Sequence, residues 1–129
     1  MLRTHAHKTV LILALSALLP VAAMAHEAEK GPNGGALIDV DGHHVEFLPS
    51  GSDLTFILTG DKDAPIASAG AKMKAIIQDA GKTTQVELAP AEPNKLVGTA
   101  LAPITPGAKV VVTGTLPDGH ALQGRFVVP

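Results

Sequence analysis

The chain has 129 residues and a formal net charge of −2, with ten basic and twelve acidic residues. It contains no cysteine, and its only aromatic side chains of the Phe, Trp and Tyr types are three phenylalanines. It therefore lacks both the cationic excess that drives phosphate binding and the aromatic surface on which bases stack, which argues against a nucleic-acid ligand. Without disulfides its stability must come from a hydrophobic core, and without thiolates it lacks the softest metal ligand.

Residues 1–25 have the three parts of a secretory signal peptide. A basic start is followed by an apolar run over 10–21, and residues 23–25 (Ala-Met-Ala) place small side chains where a signal peptidase recognises them. The apolar run is shorter than the about 20 residues that span a bilayer. We expect cleavage after Ala25, giving a periplasmic chain that begins at His26, has no membrane span and carries a net charge of −4.

Residues 26–34 are polar, contain glycine and proline, and predict a flexible N-terminal arm. From there on, short apolar runs alternate with turn residues at intervals of about 8–12 positions, which is typical of an all-β sandwich or barrel. We expect one domain over residues 35–129, an immunoglobulin- or cupredoxin-like β-sandwich of about seven to nine short strands. The predicted strands are Ala36–Val40, His43–Leu48, Asp53–Thr59, Ile66–Ala69, Lys72–Asp79, Thr83–Ala89, Lys95–Leu101, Lys109–Leu116 and Ala121–Val128.

An Asp-Gly pair at 41–42 predicts a two-residue hairpin turn between the first two strands. Such a turn pairs Val40 with His43 and Asp39 with His44 across the hairpin. A second Asp-Gly pair precedes the last predicted strand. Each pair is followed directly by a histidine, so we expect two histidines at the ends of hairpins.

Side chains alternate between the two faces of a strand. His43 therefore shares a face with Val45 and Phe47, which is the core side. His44 and Glu46 belong to the opposite face, so His44 is the histidine of this pair that we expect to be exposed. The last strand alternates in the same way, and the histidine before it is expected at the mouth of its hairpin.

The histidines of the expected mature chain are His26, His43, His44 and His120. Imidazole and carboxylate ligands suit Cu(II), Zn(II), Ni(II) and Co(II). An N-terminal histidine can chelate one metal through its amine and Nδ1, and a further imidazole then gives the nitrogen-rich set that Cu(II) prefers. We expect a site for a divalent metal, copper first, through His26 and His120, with Asp118 or His44 assisting and His43 as a further candidate.

Each of these features also has a simpler interpretation. Asp-Gly before a strand is a strong hairpin signal by itself, so both Asp-Gly-His triplets are equally explained as turns. A buried, hydrogen-bonded side chain is the more economical interpretation of His43 on an apolar face. His26 is also explained as the residue that a peptidase happened to leave on a mobile arm.

The segment EKGPNGGALIDVDGHHVEF at 29–47, with LTGDKDAPIASAGAK at 58–72 and GAKVVVTGTLPDG at 107–119, resembles small periplasmic proteins associated with heavy-metal efflux systems. A similar GPxGG and HxVE segment occurs near the start of some periplasmic adaptor subunits of efflux systems. The resemblance spans most of the expected mature chain. It implies a periplasmic β-domain in metal handling, with an efflux adaptor subunit as a possible partner.

The ending LPDGHALQGRFVV at 116–128 is similar to the end of CopC-type copper-resistance proteins, which are periplasmic β-sandwiches. In that family a mature N-terminal histidine joins an Asp-x-His near the C-terminus to bind Cu(II). The matching positions in this chain are His26, Asp118 and His120. This chain departs from the family by inserting residues 27–35 before its first predicted strand.

We therefore expect a metal-binding protein, monomeric or weakly dimeric, that buffers metal or delivers it to a resistance or efflux system. The alternative is a non-metal interaction module that docks on an envelope partner through an exposed edge strand. An enzyme is not expected, because the chain has no cysteine nucleophile and no serine in a Gly-x-Ser-x-Gly elbow.

Overall fold

The computed structural model describes residues 28–129, which form an all-β domain. Within this range the chain has nine strands and one short 3-10 turn, Asp61–Asp63. The predicted all-β class and strand number are confirmed. The strands are β1 (Glu29–Lys30), β2 (Ala36–Val40), β3 (His43–Ser50), β4 (Asp53–Thr59), β5 (Lys72–Asp79), β6 (Lys82–Ala91), β7 (Lys95–Thr99), β8 (Lys109–Thr115) and β9 (Ala121–Val127).

The strands form one antiparallel sheet in the order β1-β2-β3-β4-β7-β6-β5-β8-β9. The long strand β6 joins the two halves, because it pairs with β5 over most of its length and with β7 at its end. The sheet curls until β2 lies against β9. At this contact a Cβ on Gly124 would lie 2.5 Å from Cδ1 of Ile38. A glycine in β9 thus lets the two ends of the sheet approach each other closely.

The core lies inside the curl and contains all three phenylalanines. Phe47 and Phe56 stack with their ring centroids 4.8 Å apart, and Phe126 lies 5.2 Å from the first and 5.9 Å from the second. Each ring is at most 3% exposed. Burial of one such side chain contributes about 1.5–3 kcal/mol. Because these residues belong to β3, β4 and β9, the cluster holds the last strand against the first half of the sheet.

The β2–β3 turn has the conformation that its sequence predicts. Asp41 and Gly42 have φ angles of 52° and 80°, and positive φ at both central positions defines a type I′ hairpin turn. Val40 pairs with His43 and Asp39 with His44, which confirms the predicted register.

The predicted arm over residues 26–34 is in part regular structure. Glu29 and Lys30 form β1, which pairs with β2, and the backbone N–H of Gly31 donates to the carbonyl of Gly35 at 2.8 Å. The turn that follows β1 is held in place by the side chain of Glu46, which accepts three hydrogen bonds from it. Glu46 lies on the face of β3 opposite the core, as predicted, yet it is only 2% exposed.

The predicted strand Ile66–Ala69 is wrong, whereas the other eight predicted strands agree with the structure to within two residues at each end. Pro65, just before this segment, makes an isolated bridge with Thr59, and the N–H of Ile66 donates to the carbonyl of Leu58 at 3.1 Å, but no ladder continues from there. The N–H of Ser68 donates to the carbonyl of Pro93 at 3.0 Å, and its buried hydroxyl donates to that of Ala91 at 3.1 Å. The polar groups of Ser68 are therefore satisfied by the end of β6 and the β6–β7 connection, and not by a strand ladder.

The predicted leader over residues 1–25 and the candidate ligand His26 lie outside the described residues. Between residues 28 and 129, no helix is both long and apolar enough to cross a membrane.

Gly114 is a point at which the fold requires glycine. Its φ is +153°, and a Cβ there would overlap the carbonyl oxygen of Lys72 on the neighbouring strand. We expect Gly114→Ala to lower the free energy of unfolding by about 1–3 kcal/mol, because the two strands must move apart. Urea unfolding followed by circular dichroism measures this change. The control is Gly60→Ala, where φ is −109° and no neighbouring atom is closer than 3.7 Å; equal midpoints for both variants would contradict the prediction.

Candidate metal centre

Two hairpin ends meet where β2 lies against β9, and each contributes a histidine. His43 follows the β2–β3 turn, and His120 precedes β9. Their ring centroids are 5.6 Å apart at an interplanar angle of 50°. With Asp118, each residue offers a potential ligand atom, and these atoms lie within 4.8 Å of one another. The curl of the sheet therefore gathers two imidazoles and one carboxylate at one end of the domain.

Asp118 holds His120 through two contacts. One carboxylate oxygen accepts the backbone N–H of His120 at 3.0 Å, and the other lies 2.7 Å from Nδ1 of the same residue. The backbone donor first, and the imidazole second, lower the pKa of the Asp118 carboxyl below its ordinary value. An ionised carboxylate only accepts hydrogen bonds, so the proton of the neutral imidazole is assigned to Nδ1. The lone pair of His120 Nε2 is then available to a metal.

His43 is oriented in a similar way, by a backbone carbonyl. Its Nδ1 lies 3.2 Å from the carbonyl oxygen of Val40, its partner across the hairpin. A carbonyl oxygen cannot donate, so Nδ1 is assigned the proton and Nε2 again keeps its lone pair. Metal-binding histidines are commonly oriented by a carboxylate or a backbone carbonyl on the other ring nitrogen. This cluster has one example of each.

His44 does not belong to this cluster. It points to the opposite side of β3, and its Nε2 lies 3.0 Å from a carboxylate oxygen of Asp39, the partner that the sequence predicts. Its side chain is 29% exposed, so it is more covered than expected. Its Nδ1 is buried, and no residue of the described range gives it a hydrogen-bond partner. His44 and Asp39 form a separate pair on the outer face of the sheet.

The candidate ligands thus fall into three groups. The structure brings together His43, Asp118 and His120, it places His44 elsewhere, and His26 lies outside the described residues. His43 is half-buried and hydrogen-bonded, as its simpler interpretation predicts, and it nevertheless lies beside His120. The sequence signal for this pairing is the repeated Asp-Gly-His triplet, which gives both histidines the same place in a hairpin.

The hydrogen bond between His43 and the Val40 carbonyl is a feature that the sequence pattern does not reveal.

The second hairpin differs in detail from the first. Its connection has three residues, Pro117 to Gly119, because the N–H of Leu116 donates to the carbonyl of His120 at 2.8 Å. This longer turn gives Asp118 room to fold back onto the histidine two residues later, a local side-chain turn that aspartate favours.

Two imidazoles and a carboxylate form a ligand set of intermediate softness. Cu(II), Zn(II), Ni(II) and Co(II) all accept such ligands, whereas Mg(II) and Ca(II) prefer oxygen alone. Asp118 and His120 are exposed, with side-chain exposures of 54% and 67%. A site of this kind would be open to solvent and to further ligands.

Comparison with known protein families, with curated proteins and with solved structures finds no match to this chain.

The contact between Asp118 and His120 has a measurable consequence in acid. Because the pKa of Asp118 is lowered in the folded state, its ionised form stabilises the fold above about pH 3.9, and this contribution disappears as the pH falls through the folded pKa. We expect His120→Ala to raise the Asp118 pKa only in part, since the backbone donor remains. NMR titration of the side-chain carboxyl carbons measures this shift.

Asp79 provides the internal control for that titration. Its pKa is lowered by hydrogen bonds from the hydroxyl and then the backbone N–H of Thr105, so His120→Ala is expected to leave it unchanged. A uniform change at both carboxyls, or no change at Asp118, would show that the imidazole does not stabilise the carboxylate.

Proposed function

We propose that this protein binds a divalent metal ion, copper first, at the cluster of His43, Asp118 and His120. The observation that carries the proposal is the convergence of two histidines from hairpins far apart in sequence, each with Nδ1 occupied by an oxygen acceptor. Both Nε2 atoms are then the metal donors. Asp118 orients His120 through the hydrogen bond from Nδ1, on the opposite side of the ring from Nε2, and does not itself coordinate the ion in this arrangement. The hydrogen bonds to Nδ1 fix the orientation of both imidazoles.

Copper ranks first because of the donor chemistry. Nitrogen ligands suit Cu(II) well, and among divalent first-row ions Cu(II) generally binds a given set of nitrogen and oxygen ligands most tightly. Zn(II), Ni(II) and Co(II) are the competing ions. The only methionine of the described range, Met73, is 3% exposed and packs in the core, so a thioether-rich Cu(I) site has no support.

His26 is proposed as an additional ligand through its amine and imidazole in the mature chain. Support comes from the direction of β1, which is antiparallel to β2 and pairs Glu29 with Leu37. His26 lies three positions before Glu29 in the chain, and Val40, the partner of His43, lies three positions after Leu37. A chain of three residues spans up to about 10 Å, enough to cover that length of β2.

The proposed role is to buffer the metal or to deliver it to a resistance or efflux system in the periplasm. A partly exposed site with few protein ligands fits a carrier better than a structural centre, because structural metal sites have a closed ligand shell.

Protons compete with the metal for the same ligand atoms. Binding weakens on acidification, because the imidazoles must be unprotonated to coordinate the ion.

Titration of the chain beginning at His26 with Cu(II) tests the proposal. We expect one-to-one binding with a nitrogen-rich electron paramagnetic resonance spectrum. His43→Ala and His120→Ala should each lower the affinity by at least about 10-fold, the lower limit for loss of a group that orients a ligand. His44→Ala is the matched control, because it removes an imidazole from the same strand but from the opposite face.

A second control tests the terminal histidine. One extra residue ahead of His26 displaces the amine from that position and leaves every described residue unchanged. Lower affinity in this extended chain supports His26 as a ligand. Equal affinity in the extended chain removes His26 and leaves the two-histidine site. Weak binding that no histidine substitution changes would overturn the metal proposal and favour the docking module.

A further inference from the structure

The half-sheet formed by β6, β5, β8 and β9 has an outer face that the proposed metal centre does not use. Alternate residues of these strands lie in the core, among them Met73, Ala75 and Val112. The residues between them therefore face outward, and partners across each ladder share that face. These outward residues of the four strands form a continuous surface, which we call the basic face.

Four cations and one carboxylate give the basic face a net charge of +3. The carboxylate is Glu87, which lies directly opposite Lys74 on the neighbouring strand. The cations are Lys72, Lys74, Lys109 and Arg125, of which all but the half-buried Lys74 are exposed. Within residues 28–129 none of the four forms an ion pair with a carboxylate. Their charge is therefore not neutralised by the protein itself.

The outer face of the other half-sheet has the opposite charge. Its exposed charged residues are the carboxylates of Glu29, Asp39 and Asp53 and a single lysine, Lys95, and the buried Glu46 lies among them. The expected mature chain is acidic as a whole, but its charges are thus separated between two faces. Because the Debye length is about 8 Å at physiological salt, a partner close to one face responds mainly to that face.

The four cations are spread across the basic face. Lys72 and Lys74 are neighbours on β5, whereas Arg125 lies two strands away on β9. With about 4.8 Å between strands and about 3.3 Å per residue along them, Lys72 and Arg125 are about 16 Å apart. The uncharged residues Val111 and Thr113 of β8 lie between these strands. This spacing suits a partner that presents many negative charges over a broad area better than one phosphate-sized anion.

The composition of the basic face favours a lipid surface over an acidic protein. Protein interfaces commonly depend on aromatic or arginine anchors near their centre. All three phenylalanines of this chain lie in the core, and Arg125 is on the edge strand β9. The central positions are held by Ile76 and Val111, which are half-buried. A layer of anionic headgroups needs no matching pocket, because it attracts each nearby lysine or arginine separately.

A second copy of this chain is a less suitable occupant. The acidic outer face of one molecule would have to meet the basic face of the next. Such contacts between unlike faces join molecules head to tail, which gives a ring or an open chain and not a symmetric dimer.

We propose that the basic face is a membrane-docking surface: Lys72, Lys74, Lys109 and Arg125 hold the domain against a bilayer that contains anionic lipids. The attraction is electrostatic and requires no residue of the described range to enter the hydrocarbon. This inference goes beyond the proposed function and does not depend on metal binding.

Sedimentation with lipid vesicles tests the inference on the chain that begins at His26. This chain omits the apolar run at 10–21, which would itself favour a bilayer. A chelator removes metal ions, and a pH of about 7.5 keeps the histidines neutral. We expect binding to vesicles of mixed phosphatidylglycerol and phosphatidylcholine at about 0.1 M salt, and none to phosphatidylcholine alone. Binding should disappear at about 1 M salt, where the Debye length is about 3 Å.

Substitutions on the basic face should weaken this binding in steps. A basic side chain near an anionic membrane strengthens partitioning by about fivefold. Lys72→Gln and Arg125→Gln should therefore each reduce the partition coefficient by about fivefold. The double variant should reduce it by about 25-fold, because effects at sites so far apart add in free energy.

Two controls distinguish the basic face from total charge. Lys95→Gln removes the same charge from the other outer face and should leave partitioning unchanged. Glu87→Gln removes the carboxylate of the basic face and should strengthen binding, which is the opposite direction from Lys72→Gln. Circular dichroism checks that each variant keeps the β-structure of the parent.

Other outcomes would overturn the inference. If Lys95→Gln weakens partitioning as much as Lys72→Gln, total charge and not the basic face is responsible. If the parent does not bind anionic vesicles, the four cations are ordinary solvated charges. Binding to polyglutamate but not to vesicles, lost in Lys72→Gln, would assign the face to an acidic protein. Self-association lost in the same variant would assign it to a second copy. Because Cu(II) binding is measured separately, none of these results decides the metal proposal.

Discussion

The mutual packing of three phenylalanines is the contact on which the shape of this domain depends. Phe47 and Phe56 come from neighbouring strands near the start of the sheet, and Phe126 comes from its last strand. A sheet of nine strands in a single hydrogen-bonded order has two free ends, and nothing in that order requires them to meet. Hydrophobic burial of these rings supplies the reason, since only a curled sheet removes all three from water.

The curl has a chemical consequence at the rim of the domain. Hairpins that are distant in the chain end at the same place, so His43 and His120 become neighbours. Each histidine is oriented by its own hairpin, one through a backbone carbonyl and the other through a carboxylate. Hydrogen bonds within each hairpin thus orient each imidazole separately, and the packing of distant strands brings the two rings together.

The sequence predicts the local part of this arrangement well. The Asp-Gly pair at 41–42 predicts the turn and, through it, the full register of β2 against β3. Alternation predicts the core positions Val45 and Phe47. It fails at 66–69, which is a loop in which the N–H of Ser68 donates to the carbonyl of Pro93 and no strand ladder forms.

The long-range part could not be predicted from one sequence. The approach of β2 to β9 depends on Gly124 and Ile38, which are far apart in the chain and belong to no recognisable motif. The burial of Glu46 was not predicted for a similar reason: it depends on contacts with a distant part of the chain. Alternation places it on the outer face, but the pattern does not show that a glycine-rich turn covers it.

The meeting of β2 and β9 has one more consequence, which concerns mechanical strength. No ladder of hydrogen bonds joins these two strands within residues 28–129, so side-chain packing alone holds the seam between them closed. If the protein binds the proposed ion, an ion shared by His43 and His120 would link the ends of the two hairpins across this contact. The metal-free and metal-bound forms would then differ in how readily β2 and β9 separate, more than in their average structure.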